Sequence, residues 1–82
     1  MAKILLVSDN NDKIKHYDEL LSKFSHDFMF ATDNQMFLDA IEVEVANIII
    51  LDASSKSIDL PQLYRKINSI KDSVITIVLL KD

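Results

Sequence analysis

The 82-residue chain contains no glycine, no cysteine, no tryptophan and a single proline. Without glycine it can hold neither a dinucleotide fingerprint nor a P-loop, because both need glycine where backbone must approach a phosphate. Without cysteine it has no disulfide framework, no thiolate metal site and no cysteine nucleophile. No apolar run approaches the roughly 18 to 20 residues of a membrane-spanning helix, and the opening MAKILLVSDN turns polar too soon for a secretion signal. The nine Lys and Arg residues are scattered through a chain of net charge −4, so no basic face for nucleic acid is expected. These exclusions fit a cytoplasmic protein.

What is present suits one small globular domain spanning residues 1–82. The chain is 49% hydrophobic and 27% charged, which argues against disorder. KILLVS at 3–8 is a short apolar run of the kind that forms a strand buried on both faces. Ile14, Tyr17, Leu20, Leu21 and Phe24 then recur at spacings of three and four, predicting a helix from about Asn11 to Phe24. HDFMFAT reads as a second strand, with Phe28 and Phe30 on one face and Met29 on the other. TDN at 32–34 offers caps for a second helix, whose stripe of Met36, Phe37, Ala40 and Ile41 fades near Val45. NIIILD is a third strand. Pro61 suits the first residue of a third helix, with Leu60 just ahead of it and Leu63, Ile67 and Ile70 on its apolar face. SVITIVLL, mostly β-branched, is a fourth strand. Strands alternating with helices of this length predict an α/β fold with an open parallel sheet and right-handed crossovers.

In such a sheet, ligands gather beyond the carboxyl ends of the strands. Asp9 and Asp52 lie just past the ends of the first and third strands and would converge there if those strands are neighbours. Two close carboxylates repel unless compensated, and a hard divalent cation such as Mg²⁺ is the usual partner. The plainer alternative is that both cap helices or satisfy loop amides.

KILLVSDN and NIIILD, at this separation and between these helical patterns, resemble the first and third strands of the receiver domain of two-component response regulators. The resemblance covers the whole chain as far as the family's fourth strand. It implies a flavodoxin-like sheet of order 2-1-3-4, lacking the last α-β-α part. It places Asp52 on the phospho-accepting aspartate, Asp9 on the acid that binds Mg²⁺ directly, and the backbone carbonyl of Ser54 on a further metal-ligand position. Asp52 would then act as a carboxylate nucleophile towards a phosphoryl group, with Mg²⁺ neutralising the transferring oxygens.

The chain departs from that pattern at several places. Ser8 replaces the first acid of the usual pair, which should weaken Mg²⁺ binding. ASSKSIDLP has neither the Met-Pro pair nor the glycine of the family's loop. Val78 or Leu79 stands where the switch hydroxyl is expected, and neither can hydrogen-bond a phosphoryl oxygen. The family's phosphate-binding lysine lies on a fifth strand; Lys56 or Lys81 could stand in, although a solvated lysine is the simpler reading of each. His16 and His26 lack a third ligand and read as surface or structural residues. Ser54, Ser55 and Ser57 have no nearby histidine base and read as a polar loop. Met29 and Met36 read as core fillers.

Two functions follow from the resemblance. One is a phosphorylatable receiver that takes phosphate on Asp52 from a histidine kinase or phosphotransfer protein and signals to a downstream output domain or protein. The other is a phosphorylation-independent pseudo-receiver, an interaction or dimerisation module. A small enzyme of flavodoxin-like fold is poorly supported, for want of a cofactor loop and a substrate pocket. An apolar fourth strand near the end of the chain would be an open edge, so self-association through it is expected.

Overall fold

The computed structural model describes residues 3–24, 27–43, 46–69 and, for the backbone, 76–80. The elements run β1 (Lys3–Val7), α1 (Asn11–Leu21), β2 (Asp27–Ala31), α2 (Asn34–Val43), β3 (Ile48–Asp52), α3 (Leu60–Ser69) and β4 (Thr76–Leu80). The fold is α/β, with an open parallel sheet and three helices. β1 lies between its neighbours: Lys3 to Val7 pair with Asp27 to Ala31 on one side, and Ile4 to Val7 pair with Ile48 to Leu51 on the other. The strands that lead to Asp9 and Asp52 are therefore neighbours, although Asp52 is the last residue of β3 rather than just past its end, and Asp9 lies two residues beyond β1. No described residue takes a positive φ, so the turns do without the conformation that glycine favours.

Side-chain alternation divides the core into two layers. Odd-numbered Leu5, Val7, Ile49 and Leu51 face α2 and α3, packing with Phe37, Ile41, Leu63 and Ile67. Even-numbered Ile4, Leu6 and Ile50 face α1 and pack with Ile14, with Tyr17, Leu21 and Phe28 partly buried beside them. The first layer is the larger. Burying a side chain such as Leu5, Leu51, Phe37 or Leu63 completely contributes about 1.5–3 kcal/mol each.

Caps fix the helix starts. The Asn10 side chain accepts from the amides of Asp12 and Lys13, and Asp33 Oδ1 accepts from the Met36 amide. Each thereby satisfies backbone donors that the first helical turn leaves without partners. Asn34 then ties α2 to α3. Its Nδ2 donates to the Asp59 carbonyl and to Gln62 Oε1, and its Oδ1 accepts from the Asp59 amide.

Several expected details are corrected. α1 ends at Leu21 rather than Phe24, in a turn where the Ser22 hydroxyl bonds the Glu19 carbonyl and the Phe24 amide bonds the Leu21 carbonyl. Leu20 and Phe24 are exposed, so neither belongs to the buried stripe. Met36 is also exposed and no core filler; the Thr32 hydroxyl donates to its sulfur. Phe30 is exposed on β2, although Phe28 and Met29 do pack on opposite layers. α3 begins at Leu60, which makes Pro61 its second residue, a place where a missing N–H is still harmless. His26, Val45, Ile70, Lys81 and the expected strand residues 73–75 lie outside the described residues.

Candidate functional site

Parity and strand order place the site. Ser8 and Asp52 share the α1 face of the sheet with Leu6 and Ile50, each one step past a buried leucine-rich or isoleucine-rich strand interior. Both side chains are fully buried. The Ser8 amide donates to the Ala31 carbonyl, extending the β1–β2 ladder by one residue. The Ser8 hydroxyl donates to Asp52 Oδ2 at 2.7 Å and accepts from the Asn10 amide at 3.1 Å. Ser8 is thus a two-sided connector from the start of α1 to the end of β3.

The other Asp52 oxygen is more heavily engaged. Oδ1 accepts from the Ser54 amide at 3.1 Å and the Ser54 hydroxyl at 2.6 Å, closing the turn that follows β3. It also accepts from Lys13 Nζ at 3.1 Å, and the same ammonium donates to Ser54 Oγ at 2.8 Å. Lys13 sits in the first turn of α1, three residues past the Asn10 cap. A cation is unfavourable at that end of a helix, where the macrodipole is positive. The buried carboxylate opposite compensates it. Burial by itself would push the Asp52 carboxyl up. The Ser54 and Ser8 hydroxyls, the Lys13 ammonium and the Ser54 amide outweigh it and hold the group at about 2. Asp52 is therefore ionised across the physiological range.

Asp9 does different work. Its Oδ2 accepts from the amide and hydroxyl of Ser57 at 3.1 and 3.0 Å, and its own amide donates to Ser55 Oγ at 3.0 Å. The loops after β1 and β3 are thereby laced together. The Ser57 amide, then its hydroxyl, lower the pKa of this exposed carboxyl. Ser55, buried, also anchors the turn through its amide bond to the Asp52 carbonyl.

Asp52 and Ser54 are in direct contact through the Ser54 amide and hydroxyl, whereas the Asp9 carboxylate engages Ser57. Lys56 and His16 are exposed, and Val78 and Leu79 lie within β4. Ser55 and Ser57 lie in the loop after β3, where their bonds to Asp9 brace the site. Lys13 was missed altogether. Its signal is the lysine's position in a first helical turn, where the dipole argues against it unless a carboxylate waits nearby.

A divalent cation implied by the receiver resemblance does not fit the donors as they stand. Mg²⁺ requires near-octahedral oxygen ligands. Asp52 Oδ1 already faces an ammonium and two other donors, and Asp9 Oδ2 is directed to Ser57. Among the described residues no group of three or more His, Cys, Asp or Glu side chains could hold a metal ion. No helix among them is long and apolar enough to cross a membrane. Comparison with known proteins adds no relationship: no family model, curated protein or solved structure matches the chain.

Proposed function

We propose that the chain is a receiver-like module of two-component signalling that works as a pseudo-receiver, binding partner proteins without a phosphoryl switch. The observation that carries this reading is the closed environment of Asp52. Nucleophilic attack on a phosphoryl group needs an accessible oxygen lone pair aligned with the incoming phosphorus. Asp52 is 1% exposed, three donors converge on Oδ1, and the Ser8 hydroxyl holds Oδ2. The carboxylate acts as the keystone joining β1, β3 and α1. The sheet order 2-1-3-4 belongs to the same reading, supported by the parallel register of β4 on β3, from Ile48 with Thr76 to Asp52 with Leu80. So do a cytoplasmic location, a downstream output domain or protein as partner, and self-association along β4.

A second reading keeps Asp52 as a phospho-acceptor for a histidine kinase or phosphotransfer protein. It is favoured by the low pKa, which supplies the carboxylate form a nucleophile needs. It requires Lys13 to withdraw before Mg²⁺ can reach Asp9, Asp52 and the Ser54 carbonyl.

Acetyl phosphate or beryllofluoride with Mg²⁺, applied to the full-length protein, separates the two. The pseudo-receiver reading expects no added phosphoryl mass and no amide shifts that depend on Asp52. A phosphoryl adduct present in the natural protein and absent from Asp52→Asn transfers the assignment to the second reading.

A further inference from the structure

We propose that Lys13 is a built-in cation at the mouth of the sheet, and that its docked ammonium excludes a divalent metal from Asp52. The inference stands on the geometry of the pair and needs neither reading of phosphorylation.

Three observations carry it. First, the ammonium reaches the buried carboxylate and the loop hydroxyl together, 3.1 Å from Asp52 Oδ1 and 2.8 Å from Ser54 Oγ. It thus bonds the one Asp52 oxygen that also anchors the turn. Second, the rest of the carboxylate's surroundings donate hydrogen rather than electron pairs. Ser8 directs its O–H at Oδ2, and Ser54 directs both N–H and O–H at Oδ1. A metal ion needs lone pairs facing it, so each of these hydroxyls would have to turn and the Ser54 amide would have to be released. Third, the charge is already balanced. A buried carboxylate must be paired, and one ammonium with three further donors does so without another ion.

Position explains why this lysine can serve. Ser8, Asp52 and the strand residues beneath them face α1, and the Asn10 cap sets the first turn of that helix directly beyond the end of β1. Lys13, partly buried with 22% of its side chain exposed, can lay its methylene stem along the protein and keep its charged head at the carboxylate. A docked lysine of this kind is displaceable, because its head is the mobile end of a flexible chain. Replacing the lysine takes away the one fixed charge in that barrier, and the hydroxyl donors that remain are rotors able to turn.

The test is Mg²⁺ titration of the full-length protein, read by amide chemical shifts at Ser8, Asp9 and Ser54 and by thermal stability. Manganese(II) line broadening at the same amides locates the ion. The natural protein is expected to show no saturable response in millimolar Mg²⁺. Lys13→Met is expected to gain a saturable response with an apparent affinity at least about tenfold tighter, and Lys13→Met/Asp52→Asn is expected to lose it. Should Lys13→Met fail to fold, Lys13→Gln keeps a donor for Asp52 while removing the charge, and the same gain is expected. Saturable binding by the natural protein with an affinity equal to the variant's overturns the proposal. So does the absence of a response in a folded Lys13 variant, because the lysine would then not be what excludes the metal.

Discussion

The Lys13 ammonium stands 3.1 Å from Asp52 Oδ1, joining the first turn of α1 to the end of β3 across the mouth of the sheet. A surface ion pair is worth little, but here the carboxylate is buried and would be left with hydroxyl and amide donors alone. Lys13→Met is expected to lower unfolding stability by about 1–3 kcal/mol. In Asp52→Asn the same change should matter much less, because the charge it balances is gone. Urea unfolding of the four proteins of the double-mutant cycle measures the coupling, expected at about 1–3 kcal/mol.

Acid should weaken the protein through the same group. Asp52 has a folded-state pKa of about 2 against an ordinary value of 3.8. Between those values the unfolded chain binds more protons, so stability rises with pH across that window. The contribution is complete above about pH 4 and lost as pH falls towards about 2. Its size is roughly 2 kcal/mol. Asp9, whose pKa is also lowered, acts with the same sign. Unfolding measured from pH 5 to pH 2 should therefore show a smaller loss for Asp52→Asn than for the natural protein.

Ser8 should tolerate deletion poorly and ionisation worse. Ser8→Ala removes one donor to Asp52 and one acceptor for the Asn10 amide, and is expected to cost about 1–3 kcal/mol. Ser8→Asp would place a second carboxylate against the buried Oδ2, where like charges repel. Thermal unfolding of Ser8→Asp should fall below that of Ser8→Ala.

Asn34 offers a check away from the site. Its side chain carries three hydrogen bonds that hold the start of α2 against Asp59 and Gln62 at the start of α3. Asn34→Ala should cost about 1–3 kcal/mol in urea unfolding while leaving amide shifts at Ser8, Asp9 and Ser54 in place.

Much of this was legible in the sequence because period and burial are coded locally. The apolar run ending at Asp52 and the stripe of Phe37 and Ile41 mark their elements without help from the rest of the chain. The ends of β1 and β3 could be set side by side because adjacent parallel strands open at one end. Element ends were less legible. The spacing of Phe24 continues the pattern of α1, but nothing in that pattern says the Ser22 hydroxyl will close the helix first. Met36 likewise has helical spacing, yet α2 turns it outwards. The partners of the carboxylates were the least legible. Which donor reaches Asp52 depends on the facing of Ser8, the aim of α1 and the length of the Lys13 side chain, and these meet only when the chain is folded. A charge pattern that treats Lys13 as part of a solvated helix face misses it, whereas the helix dipole flags it.

Lys13, with Ser8 and Ser54, holds Asp52 as a buried carboxylate that is ionised across the physiological range. Carboxyl carbon NMR of Asp52, followed through an acid titration of the natural protein and of Lys13→Met, tests it most directly. A midpoint near 2 is expected in the natural protein, moved upwards in Lys13→Met. A midpoint at the ordinary carboxylate value, unchanged by loss of the lysine, would contradict it.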